Sequence, residues 1–125
     1  MMPKLSPEDV ERLARAQPAP CAHCAPLAFV GWESFPGDKS DVALEGVGTL
    51  WQAGEEDEPT LEEHHPAGTN YWSPEAPIAL RCFPANRSEV WCCRHCGHAF
   101  LRYTEYGGYY EDKRIRSLQP ELIVK

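Results

Sequence analysis

The sequence predicts a mainly β chain with one short N-terminal helix: a small antiparallel sheet with a long insertion between two cysteine-bearing turns. Three observations carry this. Short runs containing β-branched and aromatic residues are separated by turn formers, twelve Pro and nine Gly in 125 residues, as in all-β chains. Two such runs meet at Gly107-Gly108, a pair that supplies the positive φ angles of a two-residue hairpin loop. And Cys21-Ala-His-Cys24 and Cys93-Arg-His-Cys96 bracket the middle of the chain. At this length the expectation is a single domain, residues 1–125, with residues 1–17 as a helical N-terminal segment.

The helix is expected over residues 6–17. Ser6 is a good N-cap, Pro7 suits the first helical position and Asp9 closes a Ser-x-x-Asp box. Leu5 and Val10 hold the staple positions; Val10, Leu13 and Ala14 form the apolar stripe. Gln17-Pro18-Ala-Pro20 ends the helix and leads into the first cysteine pair. Leu27–Trp32 reads as a strand, and Val42–Trp51 as another. Apolar parity in the second switches around Gly46, which predicts a bulge. Residues 54–58 form an acidic loop, and Thr60–Glu63 carries a capping-box pattern for one helical turn before Pro66. Residues 66–77 read as irregular. Ile78–Phe83 and Glu89–Cys92 are short strands. Ala99–Tyr106 and the run from Tyr109 form the hairpin, with Tyr103, Tyr106, Tyr109 and Tyr110 as ladder aromatics. Leu118–Val124 is extended and paired.

Cys-x-x-Cys spacing lets one turn present two sulfurs to one ion, and two such turns complete the tetrahedral shell that Zn²⁺ prefers. The expected ligands are Cys21, Cys24, Cys93 and Cys96, holding one structural zinc. Cys92 competes with Cys93, but Cys93 has the two-residue spacing and stands four residues before Gly97, which suits the unusual dihedrals after a knuckle. Ala25 occupies the matching place after the first pair and meets that need less well. The two pairs, with Gly97 and the hairpin behind it, resemble a zinc ribbon. That resemblance implies structural zinc without choosing an activity. It does not extend over residues 33–90.

The remaining motifs have plainer readings beside functional ones. Cys82 and Cys92 read as small buried apolar side chains. His23, His95 and His98 read as neighbours of the metal shell or surface residues, although a Cys₃His shell using His98 is conceivable. His64-His65 beside Glu62-Glu63 offers donors for a catalytic metal, but lacks the His-Glu-x-x-His spacing that aligns two rings; a solvated acidic turn is the simpler account. A dithiol redox site would need a pair opening a helix in a βαβ setting, and neither pair does. Trp32, Trp51 and Trp91 lie in expected strands and are assigned to the core. Tyr71 and Trp72 lie between turn formers, where aromatics mark recognition surfaces.

The formal net charge is −7, which repels nucleic acid and anionic lipid. The charge is polarised. Residues 33–63 hold ten acids and one base, whereas residues 81–116 hold seven bases and four acids. The C-terminal basic residues Arg102, Lys113, Arg114 and Arg116, with the tyrosines, suggest a single-strand surface, and Arg114 and Arg116 share one strand face by the period of two; a salt-bridged face answering the acidic middle is the alternative. No apolar export signal or run of about 18 apolar residues is present, so a cytoplasmic protein that does not engage a membrane is expected. The functional expectation is a small zinc protein that binds another protein, with nucleic-acid binding second. A metal-dependent enzyme built on His64 and His65 comes third; catalysis is not the expected role.

Overall fold

A computed structural model describes residues 3–36, 43–51, 64–66, 68–69, 73, 76–83, 85–106, 109 and 111–124. The helix α1 (Pro7–Ala16) starts as its sequence dictates. The Ser6 hydroxyl accepts from the Asp9 amide and the Asp9 carboxylate accepts from the Ser6 amide, both at 3.1 Å. These bonds, the backbone donor of Ser6 first, hold the Asp9 carboxyl below its usual pKa. Val10 and Ala14 turn inward, and Leu5 and Leu13 pack at the edge of the same core.

Among the described residues seven strands follow: β1 (Glu33–Ser34), β2 (Leu44–Thr49), β3 (Ile78–Ala79), β4 (Glu89–Cys93), β5 (Ala99–Tyr106), β6 (Glu111–Ser117) and β7 (Ile123–Val124). Five form one antiparallel sheet in the order β1-β6-β5-β4-β2, and β3 pairs with β7 in parallel. The mainly β class with a short N-terminal helix is the architecture found. The hairpin expected from Ala99 onward is β5–β6, in register from Phe100↔Ser117 to Tyr106↔Glu111; its Gly107-Gly108 turn lies outside the described residues. The predicted bulge is also present: the β2–β4 register shifts between Gly46 and Gly48. Gly48 has a further reason to be glycine. The N-terminal segment lies along β2, with Leu5 N–H donating to Thr49 O at 2.7 Å and Thr49 N–H to Pro3 O at 2.8 Å. A Cβ at Gly48 would stand 2.5 Å from Leu5 Cγ and 2.7 Å from the Pro3 oxygen.

Three expected strands are altered. Leu27–Trp32 is not a strand: a 3₁₀ turn occupies Ala25–Leu27, and ladder pairing starts only at Glu33↔Ile115. The amides of the run's first residues are taken locally, Leu27 by Cys24 O, Ala28 by Ala25 O and Phe29 by Leu27 O, at 2.9–3.1 Å. Ile78–Phe83 keeps only two strand residues, because the Cys82 amide turns back to Ala79 O at 3.0 Å. Leu118–Val124 forms a strand only at Ile123–Val124, after a 3₁₀ turn at Pro120–Leu122, although the Leu118 amide still donates to Ala99 O. The acidic loop at 54–58, the Thr60–Glu63 turn, and Tyr71 and Trp72 lie outside the described residues.

The sheet has two covered faces because adjacent strand residues point to opposite sides. On one face Val90, Ala99, Leu101 and Tyr103 pack with Val10, Ala14, Trp32, Ile78, Leu80, Ala85 and Leu118. On the other, Phe100 and Ile115 pack with Leu27, Leu44, Cys24 and Cys93. Phe100, Leu101 and Ile115 are fully buried, each worth roughly 1.5–3 kcal/mol of transfer free energy. Trp32 is buried as expected. Trp91 is half-buried at the margin of the second cluster, and Trp51 is half-buried outside both.

Candidate metal centre

The second cluster brings the four predicted ligands together. Cys21, Cys24, Cys93 and Cys96 have all their sulfurs within 4.8 Å of one another, the only such donor group among the described residues. Neighbouring sulfurs are 3.9 Å apart for Cys21–Cys24, 3.7 Å for Cys21–Cys93 and 3.6 Å for Cys24–Cys96. A tetrahedral ion with metal–sulfur bonds of about 2.3 Å requires edges of about 3.8 Å. The fit is to a tetrahedral thiolate metal; a disulfide would need about 2.05 Å. Such a metal, when bound, supplies a cross-link between the two ends of the chain. Cys24 and Cys93 are buried, while Cys21 and Cys96 stand at the rim.

Each knuckle is shaped by its own backbone. The Cys24 and Ala25 amides donate to Cys21 O at 3.2 and 2.8 Å, and the Gly97 amide donates to Cys93 O at 2.8 Å. Gly97 sits at φ +86°, the left-handed region that an L side chain resists. Ala25 needs no such angle, because the chain after the first knuckle continues into the 3₁₀ turn rather than reversing into a strand. That is how the first pair dispenses with glycine. The His95 amide donates to Cys93 Sγ and the His98 amide to Cys96 Sγ, each at 3.4 Å. At Cys21 burial opposes the charged form, but amide donors from His23 and Cys24 and the thiols of Cys96 and Cys93 outweigh it, bringing the group down to about 6. Burial pushes Cys24 far up. A metal must therefore displace a proton from Cys24.

The three histidines of the knuckles are not ligands. His23 and His95 are exposed and stack on each other, centroids 3.7 Å apart and planes at 16°. They occupy equivalent places in the two pairs, so their contact repeats the pairing of the knuckles beneath. His98 is buried and ties the knuckles to the sheet. Its Nδ1 donates to Pro18 O at 2.9 Å, since a carbonyl can only accept, and its Nε2 stands 3.0 Å from Ser117 Oγ. Gln17 does the same work beside it, its amide oxygen accepting from the Ala99 N–H at 2.8 Å and its amide nitrogen donating to Leu118 O.

The other predicted residues are dispersed. Cys92 packs against the first core, on the side of β4 opposite to Cys93. Burial raises its pKa, followed by the charges of Glu45, Cys93 and Cys96. Cys82 is half-buried. His64 and His65 border a narrow cavity beside Trp32 and Phe83, and His65 Nδ1 meets Thr69 Oγ1 at 2.8 Å. Arg116 is not an outward-facing cation: it is 1% exposed. Its guanidinium donates to Val30 O at 2.9 Å, Gln119 Oε1 at 2.9 Å and Ala76 O at 3.4 Å, and it lies over the Trp32 ring. Burial lowers its pKa to about 10, so it stays charged at neutral pH. Leu101↔Arg116 pairing explains the inward turn, because Leu101 faces the first core. Arg114 pairs with Asp112 at 3.0 Å.

Arg102, one of the four C-terminal basic residues, is buried rather than outward-facing, and its guanidinium lies 4.8 Å from the ring centroids of both Phe35 and Trp91, contacts that sequence reasoning missed. Strand alternation was the available signal: it puts Arg102 opposite to Leu101 and Tyr103, on the face of Phe100 and Trp91. Among the described residues, no helix is long and apolar enough to cross a membrane. Comparison with protein-family models, curated proteins and solved structures finds no match to the chain.

Proposed function

We propose that the chain is a small protein with one structural Zn²⁺ held by Cys21, Cys24, Cys93 and Cys96, acting as a zinc-ribbon-type module that binds another protein. The observation that carries the zinc reading is the sulfur geometry, with three of the six edges at 3.6–3.9 Å and all within 4.8 Å, against the ~3.8 Å of a zinc tetrathiolate. Four protein ligands close the shell and leave no position for substrate, which favours a structural over a catalytic ion. The protein-binding reading is supported by the polarised charge, above all by Glu55, Glu56, Asp57, Glu58, Glu62 and Glu63, a run of acids suited to a basic partner. A cytoplasmic location accords with four metal-bound thiolates, which a reducing compartment preserves.

Nucleic-acid binding through Arg114 and Arg116 has less support, since Arg116 is buried and Arg114 is engaged by Asp112. Elemental analysis tests the metal: one zinc per chain is expected, lost or strongly weakened in Cys96→Ser. Iron in place of zinc, or a stoichiometry that survives the substitution, defeats the zinc reading. Neutralising Glu55, Glu56, Asp57 and Glu58 to the amides tests the partner. Association with a basic protein partner should slow, most at low salt, while the fold persists; an unchanged association rate removes the electrostatic basis.

A further inference from the structure

The four sulfurs of the metal centre are not equivalent. Cys24 and Cys93 are 0% and 3% exposed, whereas Cys21 and Cys96 stand half-exposed at the rim. Each knuckle therefore offers one buried sulfur and one that small solutes reach from the surrounding water. Close contacts cross from knuckle to knuckle. Cys96 Sγ lies 3.6 Å from Cys24 Sγ, and Cys21 Sγ lies 3.7 Å from Cys93 Sγ. Each rim sulfur thus has a buried sulfur of the opposite knuckle as a close neighbour.

That pairing bears on what oxidation does here. A disulfide needs about 2.05 Å between its sulfurs, so either crossing pair has to close by only about 1.6 Å. Cys21 and Cys24 are 3.9 Å apart, and bonding them draws together the ends of a turn already held by the Cys24 and Ala25 amides on Cys21 O. A crossing bond leaves both turns as they are. The two outcomes also differ in what they do to the chain. Each crossing pair is 72 positions apart in sequence, against three for the pair within the first knuckle. Only a crossing bond keeps the two ends of the fold joined once the metal leaves, because it closes the same long loop.

We propose that hydrogen peroxide converts this zinc clamp into a covalent one, each rim cysteine forming a disulfide with the buried cysteine of the other knuckle as the ion is released. The inference rests on the zinc reading and adds a regulation to it. In a filled shell all four sulfurs are thiolates. The exposed Cys21 thiolate attacks one peroxide oxygen and the O–O bond breaks. This gives a sulfenic acid and a hydroxide, which takes a proton and leaves as water. The Cys93 thiolate then attacks the Cys21 sulfur. The S–S bond forms, the S–O bond breaks, and that oxygen also leaves as water with a second proton. Two electrons pass from the sulfur pair to one peroxide. Cys96 and Cys24 repeat the sequence with a second peroxide, and no thiolate is left to hold the ion.

Treating the purified, zinc-loaded chain with hydrogen peroxide tests this in three ways. A colorimetric zinc chelator should report one Zn²⁺ released for about two equivalents of peroxide consumed. Trypsin cuts after Arg15, Lys39, Arg87, Arg94 and Arg102, which places Cys93 and Cys96 on separate peptides. Mass spectrometry should find both joined to the peptide carrying Cys21 and Cys24, and Cys92→Ser should give the same map. The urea midpoint of the oxidised, zinc-free form should stay near that of the zinc-loaded form and well above that of the chelated, reduced form. A thiol reductant with added zinc should reverse the change. Cys93 joined to Cys96 instead, oxidation running on to sulfinic acid, zinc retained under excess peroxide, or an oxidised midpoint as low as the chelated one overturns the proposal. The two readings fail separately. A chain purified without zinc defeats the zinc reading, and its peptide map after peroxide still decides the pairing.

Discussion

Removing the metal should cost this fold a large part of its stability, and the size of the loss can be worked from the chain. Cys21 and Cys93 lie 72 positions apart in sequence with their sulfurs 3.7 Å apart. A cross-link closing a loop of that length restricts the unfolded chain by about 4 kcal/mol on the chain-entropy estimate used for disulfides. Domain stabilities are commonly about 5–15 kcal/mol, so the clamp is a large part of the whole. Urea unfolding of the zinc-loaded protein, with and without a strong chelator, measures it. The chelated form should lose roughly 4 kcal/mol, and Cys96→Ser should move the same way without chelator. Amide exchange locates the effect. The Ala99 amide donates to Gln17 and the Leu118 amide to Ala99 O, so both should lose protection once the first knuckle is released from the sheet. A shift under about 1 kcal/mol, with unchanged protection at Ala99 and Leu118, would refute the structural role, because the ends would then be held by packing alone.

Gly97→Ala should destabilise by roughly 1–2 kcal/mol through backbone strain alone, since the nearest atom to a new Cβ is Pro18 Cδ at 3.9 Å; thermal melts of the zinc-loaded protein check this. Gly48→Ala should act by collision instead, displacing the segment at Pro3 and Leu5 and exposing the Thr49 amide to exchange. Arg116→Ala should cost roughly 3 kcal/mol in urea unfolding, because it strips donors from Val30 O, Ala76 O and Gln119, with Arg116→Met recovering part through apolar packing. Cys92→Ser should leave zinc stoichiometry unchanged by elemental analysis while Cys93→Ser lowers it, since Cys92 packs on the opposite side of β4.

Local chemistry made much of the chain legible. Ser6, Pro7 and Asp9 specify a helix start without help from elsewhere, and the helix starts there. The hairpin was readable because β5 and β6 are neighbours in sequence, and Cys-x-x-Cys because two ligands fit one turn. Gly97 was readable from its knuckle, and its φ of +86° is what that position demands. The expected strand at Leu27–Trp32 failed because apolar, β-prone composition does not show that the amides of Leu27, Ala28 and Phe29 are already taken by Cys24 O, Ala25 O and Leu27 O.

What the sequence determined by itself was therefore the set of contacts closing over a few residues: cap, hairpin, bulge and paired sulfurs. Tertiary structure alone decided which long-range partners those pieces found. It turned Arg116 inward by pairing it with Leu101, and placed His98 between Pro18 and Ser117. It also aligned Arg102 with Phe35 and Trp91 on the second face of the sheet. The physical reason is register. Shifting a strand by one residue reverses every side chain on it, and here the register is set by contacts across the whole chain.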